Sequence, residues 1–281
     1  MTLHRRPTIK DVAKVAGVTH PTVSRVLSNK PYVASDTRER VLSAVLELGY
    51  RPSAAARSMV TQRTHLLAML VPHLADSNFG TLFSGAEREA RQRGYSVLVT
   101  DFEAASNDGG LLSEHRVDGV LILEPQNYQG RFLHELPIVE LDEAPINQYA
   151  GGRLVGQHFK QLGHQNVVFV GGPADAPHAH QRHLGLLEFF PQAPWLAGDW
   201  SAESGYALLE QTLEHTPTAL FAANDYVALG LIHALRTRGL RVPDDISLVG
   251  FDDILPAKHF TPALTTVQQP FEAQGAKAVE L

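Results

Sequence analysis

The chain has no cysteine. That excludes disulfides and thiolate metal sites, and it fits a reducing compartment such as a bacterial cytoplasm. No apolar run approaches the roughly 18 residues that a bilayer span requires, so no membrane partner is expected. Met1-Thr2-Leu3-His4-Arg5-Arg6-Pro7 is basic but has no apolar core behind it, and it does not read as a secretory signal. No phosphate loop, nucleophile elbow or paired catalytic motif is present. An enzyme would have to rely on Asp252 or Glu124 as its acid or base, and none is expected. Low-complexity tracts and short repeats are missing too. What is there is 281 residues, 44% of them hydrophobic, enough to bury a substantial core in more than one domain.

Charge is divided sharply along the chain. Residues 1–63 hold 11 Lys/Arg against four Asp/Glu, a net charge of +7. With −6 overall, the remainder carries −13. A basic head supplies attraction to phosphates, and an acidic body discourages non-specific wrapping of DNA. The bland reading is a solvated basic face with no partner.

The periodicity of the head weighs against that reading. Ile9, Val12, Ala13 and Ala16 recur at helical spacing. Gly17 follows where a chain leaving a helix often needs positive φ. Thr19 stands at the N-cap of a second helix, with Pro21 tolerated in its first turn. Val23, Val26 and Leu27 give that helix an apolar side and leave His20, Pro21, Ser24 and Arg25 facing out. Helix, glycine turn, helix is the arrangement that lays a recognition helix in a DNA major groove. Ser28-Asn29-Lys30-Pro31 reads as a turn. A third helix opens at Ser35 with Val41, Leu42, Val45, Leu46 and Leu48 as its buried stripe, and Gly49 ends it. Residues 51–63 read as a linker whose alanine run favours helix but is too short to hold one alone. DNA or a twin segment across a dimer axis could order it.

From Leu66 onward strands and helices alternate. Strands are expected at 66–71, 96–100, 118–123 and 138–141, then at 166–170, 219–222 and 247–251. Helices are expected at 79–94, 154–162, 182–190, 204–215 and 226–238. Buried strands alternating with helices imply parallel, doubly wound sheets, and two such series imply two α/β lobes. The loops after Val71, Leu141, Val170, Ala222 and Phe251 leave strand carboxyl ends, where such sheets bind ligands. His178, His180 and His183 cluster, but without the i, i+4 spacing of a helical zinc site or a completing Cys or carboxylate, so no metal and no cofactor is expected.

The chain resembles the lactose-repressor/galactose-repressor (LacI/GalR) family of bacterial transcription regulators. The head carries Thr8-Ile9-Lys10-Asp11-Val12-Ala13, Ala16-Gly17-Val18, Thr22-Val23-Ser24-Arg25-Val26-Leu27 and Leu48-Gly49-Tyr50-Arg51-Pro52. The body carries Val117-Asp118-Gly119-Val120, Leu162-Gly163-His164, Ala223-Asn224-Asp225, Gly250-Phe251-Asp252-Asp253 and Pro262-Ala263-Leu264-Thr265-Thr266-Val267. These run in family order along nearly the whole chain. The resemblance implies a small all-α helix-turn-helix head on a two-lobe body like that of periplasmic binding proteins. It divides the chain into a DNA-binding domain at 1–51, a hinge helix or linker at 52–63 and an effector and dimerisation domain at 64–281.

It also implies a transcriptional regulator, most often a repressor. A homodimer or higher oligomer would bind a near-palindromic operator on double-stranded DNA. A small molecule, usually a sugar, would set operator affinity by moving the lobes and so ordering or melting the hinge. His20, Pro21 and Arg25 match base-reading positions, with Arg25 suited to bridge guanine O6 and N7. Thr22, Ser24 and Tyr50 match phosphate-holding positions, and Thr19 and Arg57 complete the DNA set. Met59 replaces the usual hinge leucine as the minor-groove wedge. Ala34 replaces a hydroxyl residue before the third helix, with Ser35 as a partial substitute. Asp142, Arg182, Asn224, Asp252 and Gln269 match effector-contact positions, and Trp200 matches an aromatic one. Each has a bland alternative: Asp252 could cap a turn, Asn224 could start a helix, and Trp200 could be core.

Residues 226–238 and 254–260 match partner-facing surfaces, unless Leu229 and Phe260 are ordinary core. The segments around 106–112 and 144–151 are shorter than the family norm. The sequence ends at Leu281 inside a helical segment, short of the family's closing strands, so a C-terminally shortened member is expected. A transport-type solute-binding protein would share the body, but the basic head and the absent export signal argue against it.

Overall fold

The computed structural model describes residues 7–28, 31–50, 58, 63–72, 79–102, 105, 112, 116–123, 136–141 and 146–280. By its own contacts the chain divides into one compact unit of residues 1–66 with 112–118, and another of 67–111 with 119–281.

Three helices build the head: α1 (Ile9–Ala16), α2 (His20–Leu27) and α3 (Ser35–Leu48). The Thr8 amide and hydroxyl both donate to the Asp11 carboxylate at 2.7 Å, which places negative charge in the first turn of α1, where exposed amides favour it. Gly17 (φ 65°) and Gly49 (φ 60°) end α1 and α3 in the left-handed region that a Cβ disfavours. Val12, Val23 and Val41 are wholly buried among Ala13, Ala16, Val26 and Ala44. Two capping expectations need correction. Thr19 occupies the N-cap of α2, but its hydroxyl pairs with that of Thr22 at 3.0 Å instead of an amide. Ser35 does not replace the missing cap at Ala34, because its hydroxyl donates to Asp36 at 3.4 Å.

Before the body, Asp118 accepts hydrogen bonds from the Thr64 amide, the Thr64 hydroxyl and the His65 amide at 2.8–2.9 Å. Burial pushes its carboxyl up, but the hydrogen bonds from Thr64 and His65 outweigh burial and hold it below the usual range.

The body contains two four-stranded sheets among the described residues. The first has β1 (Leu66–Val71), β2 (Ser96–Asp101), β3 (Gly119–Leu123) and β4 (Ile138–Leu141), in the order β2-β1-β3-β4. β1 pairs with β3, and β3 with β4, in parallel. Helix α4 (Phe79–Gln92) belongs to this lobe. The second lobe begins with α5 (Gln148–Gln161), β5 (Val167–Val170), α6 (Pro177–Leu187) and β6 (Trp195–Leu196). It continues through α7 (Ala202–Ala207), α8 (Leu209–Glu214), β7 (Ala219–Ala222), α9 (Asp225–Thr237) and β8 (Ser247–Val249). Its parallel sheet runs β6-β5-β7-β8. Residues 265 and 268 bridge in parallel to 249 and 252 on the far side of β8. The chain then returns to the first lobe as α10 (Phe271–Glu280), whose Phe271 and Ala278 join the core of Met69, Leu82 and Leu121.

Several boundaries differ from the sequence expectation. α5 starts at Gln148, well before Leu154, because Gly151 and Gly152 lie inside the helix. A Cβ on Gly152 would lie 2.0 Å from the Arg182 carbonyl oxygen, and one on Gly185 would lie 2.2 Å from that of Tyr149. The crossing of α5 and α6 thus takes bare backbone, and packing overrides poor helix propensity. α6 likewise begins at Pro177, ahead of Arg182. The helix expected at 204–215 is two helices meeting at Leu208. β6 is a two-residue strand that periodicity misses.

Candidate DNA face and effector site

In α2 the core claims Val23 and Val26, which turns the opposite face outward. His20, Pro21, Ser24 and Arg25 are all exposed on that face, with Thr19 at its start. Their i, i+4 spacing makes His20–Ser24 and Pro21–Arg25 two neighbouring rows. Thr22 is half-buried, and Tyr50 leans against the head core. Arg57, Met59 and, apart from Ser58, the hinge at 52–60 lie outside the described residues, as do Asp142 and Glu124.

The second lobe gathers four of the other expected residues into a buried polar cluster. Arg182, Asn224, Asp252 and Gln269 are each at most 5% exposed. Arg182 comes from α6, Asn224 from the end of β7, Asp252 from the turn after β8, and Gln269 from the segment before α10. Arg182 Nε donates to Gln148 Oε1 at 2.6 Å, and Gln148 Nε2 donates to Gln269 Oε1 at 2.9 Å. Gln269 Nε2 then donates to Asp252 Oδ1 at 2.6 Å. Asp252 Oδ1 lies 3.7 Å from Arg182 Nη2, closing a four-membered ring of side chains. A second guanidinium nitrogen, Nη1, donates to the Ala223 carbonyl. The guanidinium carbon stands 3.9 Å from the centroid of the Phe251 ring and 5.5 Å from that of Trp200. A buried cation is thereby held by an anion, two amides and two π-faces, the environment that a charge removed from water needs.

Asn224 does start a helix: Oδ1 accepts the Val227 amide at 2.8 Å as the N-cap of α9. Its Nδ2 also donates to the Trp200 carbonyl at 3.0 Å, so one side chain fixes both α9 and the tryptophan. Trp200 packs at the edge of the second-lobe core without being buried in it. Asp252 sits at φ 113° and Asp253 at φ 59°, a strained turn held by Asp252 N–H to Val267 carbonyl at 2.8 Å.

Three residues that sequence reasoning missed complete this neighbourhood: Gln148, Phe251 and Asp225. Asp225 is wholly enclosed. Its carboxylate accepts the Ile254 amide at 2.9 Å and the Thr266 hydroxyl at 2.6 Å. Burial pushes it up to about 7, assisted by the nearby charges of Asp252 and Asp253 and opposed by those two hydrogen bonds. Its place beside Asn224 is the one sequence signal that could have drawn notice.

His183 has a packing role, stacking on Phe169 at 5.3 Å and bonding the Ala193 carbonyl at 2.9 Å. Burial holds its imidazole below the usual range. On the expected partner-facing segments, Leu229 is 38% and Leu255 76% exposed, while Phe260 packs on the core beneath β8. No helix among the described residues is long and apolar enough to cross a membrane.

Known proteins show the same organisation. Residues 8–53 match the profile described as bacterial regulatory proteins, lacI family, and residues 157–281 match a periplasmic binding protein-like domain. The chain is 34% identical to the HTH-type transcriptional repressor PurR of Mannheimia succiniciproducens, over 98% of this chain and 90% of that protein. It is 35% identical to the repressor of the same name from Haemophilus influenzae strain PittEE, over 98% and 89%. The lac repressor dimer bound to operator and the anti-inducer ONPF superimposes with a TM-score of 0.80 at 32% identity, over 98% and 91%. The complex of the transcriptional regulator CelR with cellobiose gives 0.66 at 30% identity, over 98% and 91%.

A helix-turn-helix head joined to a two-sheet binding-protein body defines a DNA-binding transcriptional repressor with a ligand-binding body, not an enzyme. The chain belongs to the lacI family of bacterial regulatory proteins.

Proposed function

We propose that the chain represses transcription as a dimer on a near-palindromic operator, with operator affinity set by a sugar held at the Arg182–Asp252 cluster. Residues 1–51 form the DNA-binding domain, 52–63 the hinge and 64–281 the effector and dimerisation body. His20, Pro21 and Arg25 read bases; Thr19, Thr22, Ser24, Tyr50 and Arg57 hold the backbone; and Met59 wedges the central minor-groove step. Asp142, Arg182, Trp200, Asn224, Asp252 and Gln269 contact the effector. A binding event that shifts the lobes orders or melts the hinge, and so changes operator affinity by a coupling free energy. The protein acts in the compartment that holds the DNA.

The observation that carries this reading is the buried ring of Arg182, Gln148, Gln269 and Asp252 beside the faces of Trp200 and Phe251. Paired donors and acceptors beside an aromatic face suit the hydroxyls and apolar side of a pyranose. The same two ring faces also favour a second reading, a flat nitrogen heterocycle such as a purine base. A thermal-shift panel of sugars, sugar phosphates and purine bases on the full chain separates them. A ligand at 100 times its Kd adds about 2.7 kcal/mol of stability. A gel shift on operator-like palindromes, with and without the hit, then reads whether it promotes or relieves repression. If no member of either class raises the melting point, the assignment of this cluster as an effector site fails.

A further inference from the structure

Gln148 stands in the ring without belonging to the effector set, and its position gives it a mechanical role. It is the first residue of α5, reached from β4 through the crossing from the first sheet to the second. Gln269 lies on another crossing, between the strand-like segment at 265–268 and α10, which packs in the first lobe. The hydrogen bond from Gln148 to Gln269, at 2.9 Å and buried, therefore joins two separate connections between the lobes. Donor chemistry fixes its direction. A guanidinium only donates, so Gln148 must turn Oε1 to Arg182 and Nε2 to Gln269 Oε1 and the Ile146 carbonyl, the latter also at 2.9 Å. Gln269 is then obliged to turn Nε2 to Asp252.

We propose that Gln148 is a positioning residue that clasps two of the inter-lobe crossings and ties them to the Arg182–Asp252 pair, so that occupancy at that pair is felt as lobe orientation. The coupling to a ligand rests on the effector reading above; the clasp itself does not. Gln148→Leu removes both halves of the amide at similar volume. Gln148→Glu can still accept from Arg182, but as a carboxylate it cannot donate to Gln269 or Ile146, and it adds a charge that competes with Asp252. Gln269→Leu cuts the same link from its other end.

The cysteine-free sequence allows a direct test in the full chain. Spin labels on Gln92→Cys and Gln161→Cys, exposed residues closing α4 and α5, report the distance between the lobes by pulsed electron resonance, with labelled chains diluted in unlabelled ones. The expected result is a single narrow distribution in the parent and its loss, by broadening or a shift, in Gln148→Leu, Gln148→Glu and Gln269→Leu. Far-UV circular dichroism establishes that each variant is folded, and three variants keep the test open if one is not. Unchanged distributions in the folded variants overturn the clasp. D-ribose, cellobiose and guanine then serve as probes. A probe that stabilises the parent and moves its distribution should leave that of Gln148→Leu unmoved, and an equal response in both overturns the coupling. Failure of all three to raise the parent's melting point counts against the effector reading and not against the clasp, since the label distances are read without them.

Discussion

Arg25 and Asp225 illustrate two ways in which one side chain commits a protein. Arg25 is exposed beside Pro21 on a helix whose other face is locked into the core, so its loss should leave folding alone. Arg25→Ala is expected to lose about 1–3 kcal/mol at one operator base pair, read by gel shift against single-base operator variants. A uniform loss across all sequences would reassign it to a phosphate. Asp225 is enclosed at the start of α9, and burial raises its folded pKa to about 7, well above the unfolded value of 3.8. The folded state holds that proton more tightly, so the contribution to stability is full below about pH 4 and is lost as pH rises through about 7. Asp118 has the opposite sign: its lowered pKa gives stability that is present above the unfolded value and lost as pH falls. Denaturant melts of Asp225→Asn across pH 4 to 8 should lack the decline that the parent shows. An identical slope in both would remove Asp225 as its source.

Helices were legible wherever an apolar stripe recurred without interruption. The three head helices follow from Val12, Ala16, Val23, Val26 and Val41, but the stripe expected of α3 is only partly buried: Ala44 joins Val41 in the core, while Leu42 and Leu46 are exposed. The buried parallel strands were legible too, since near-continuous apolar runs such as Leu66–Val71 and Val167–Val170 leave no polar face, whereas the order of the strands was not. The starts of α5 and α6 were hidden by glycine and histidine, residues whose reason lies in the partner helix and not in local sequence. Gln148 was illegible for a related cause, because a glutamine in a first turn is ordinarily solvated and only the fold brings Arg182 to it. The glycines themselves yield a prediction. Gly152→Ala places a methyl carbon 2.0 Å from the Arg182 carbonyl, which must part α5 from α6. A cost of about 3 kcal/mol is expected from such overpacking, seen as a lower urea midpoint. A midpoint equal to the parent's would mean the crossing is looser than its geometry.

Taken together, a +7 head and a −13 body make a molecule whose hold on DNA is concentrated in less than a quarter of its length. Operator affinity should fall steeply with salt, with a log–log slope of about −0.9 for each phosphate contacted. A flat salt dependence would be incompatible with a phosphate-led encounter. The tie at Thr64 adds something different. Thr64 lies just ahead of β1, and through the Asp118 carboxylate it also grips the residue that precedes β3. Those two strands are hydrogen-bonded neighbours in the middle of the order β2-β1-β3-β4. Tension passing through Thr64 would therefore reach both strands at once, and at the same end. Pulled together from the same end, β1 and β3 do not slide past each other, and they resist by shear against their outer neighbours β2 and β4.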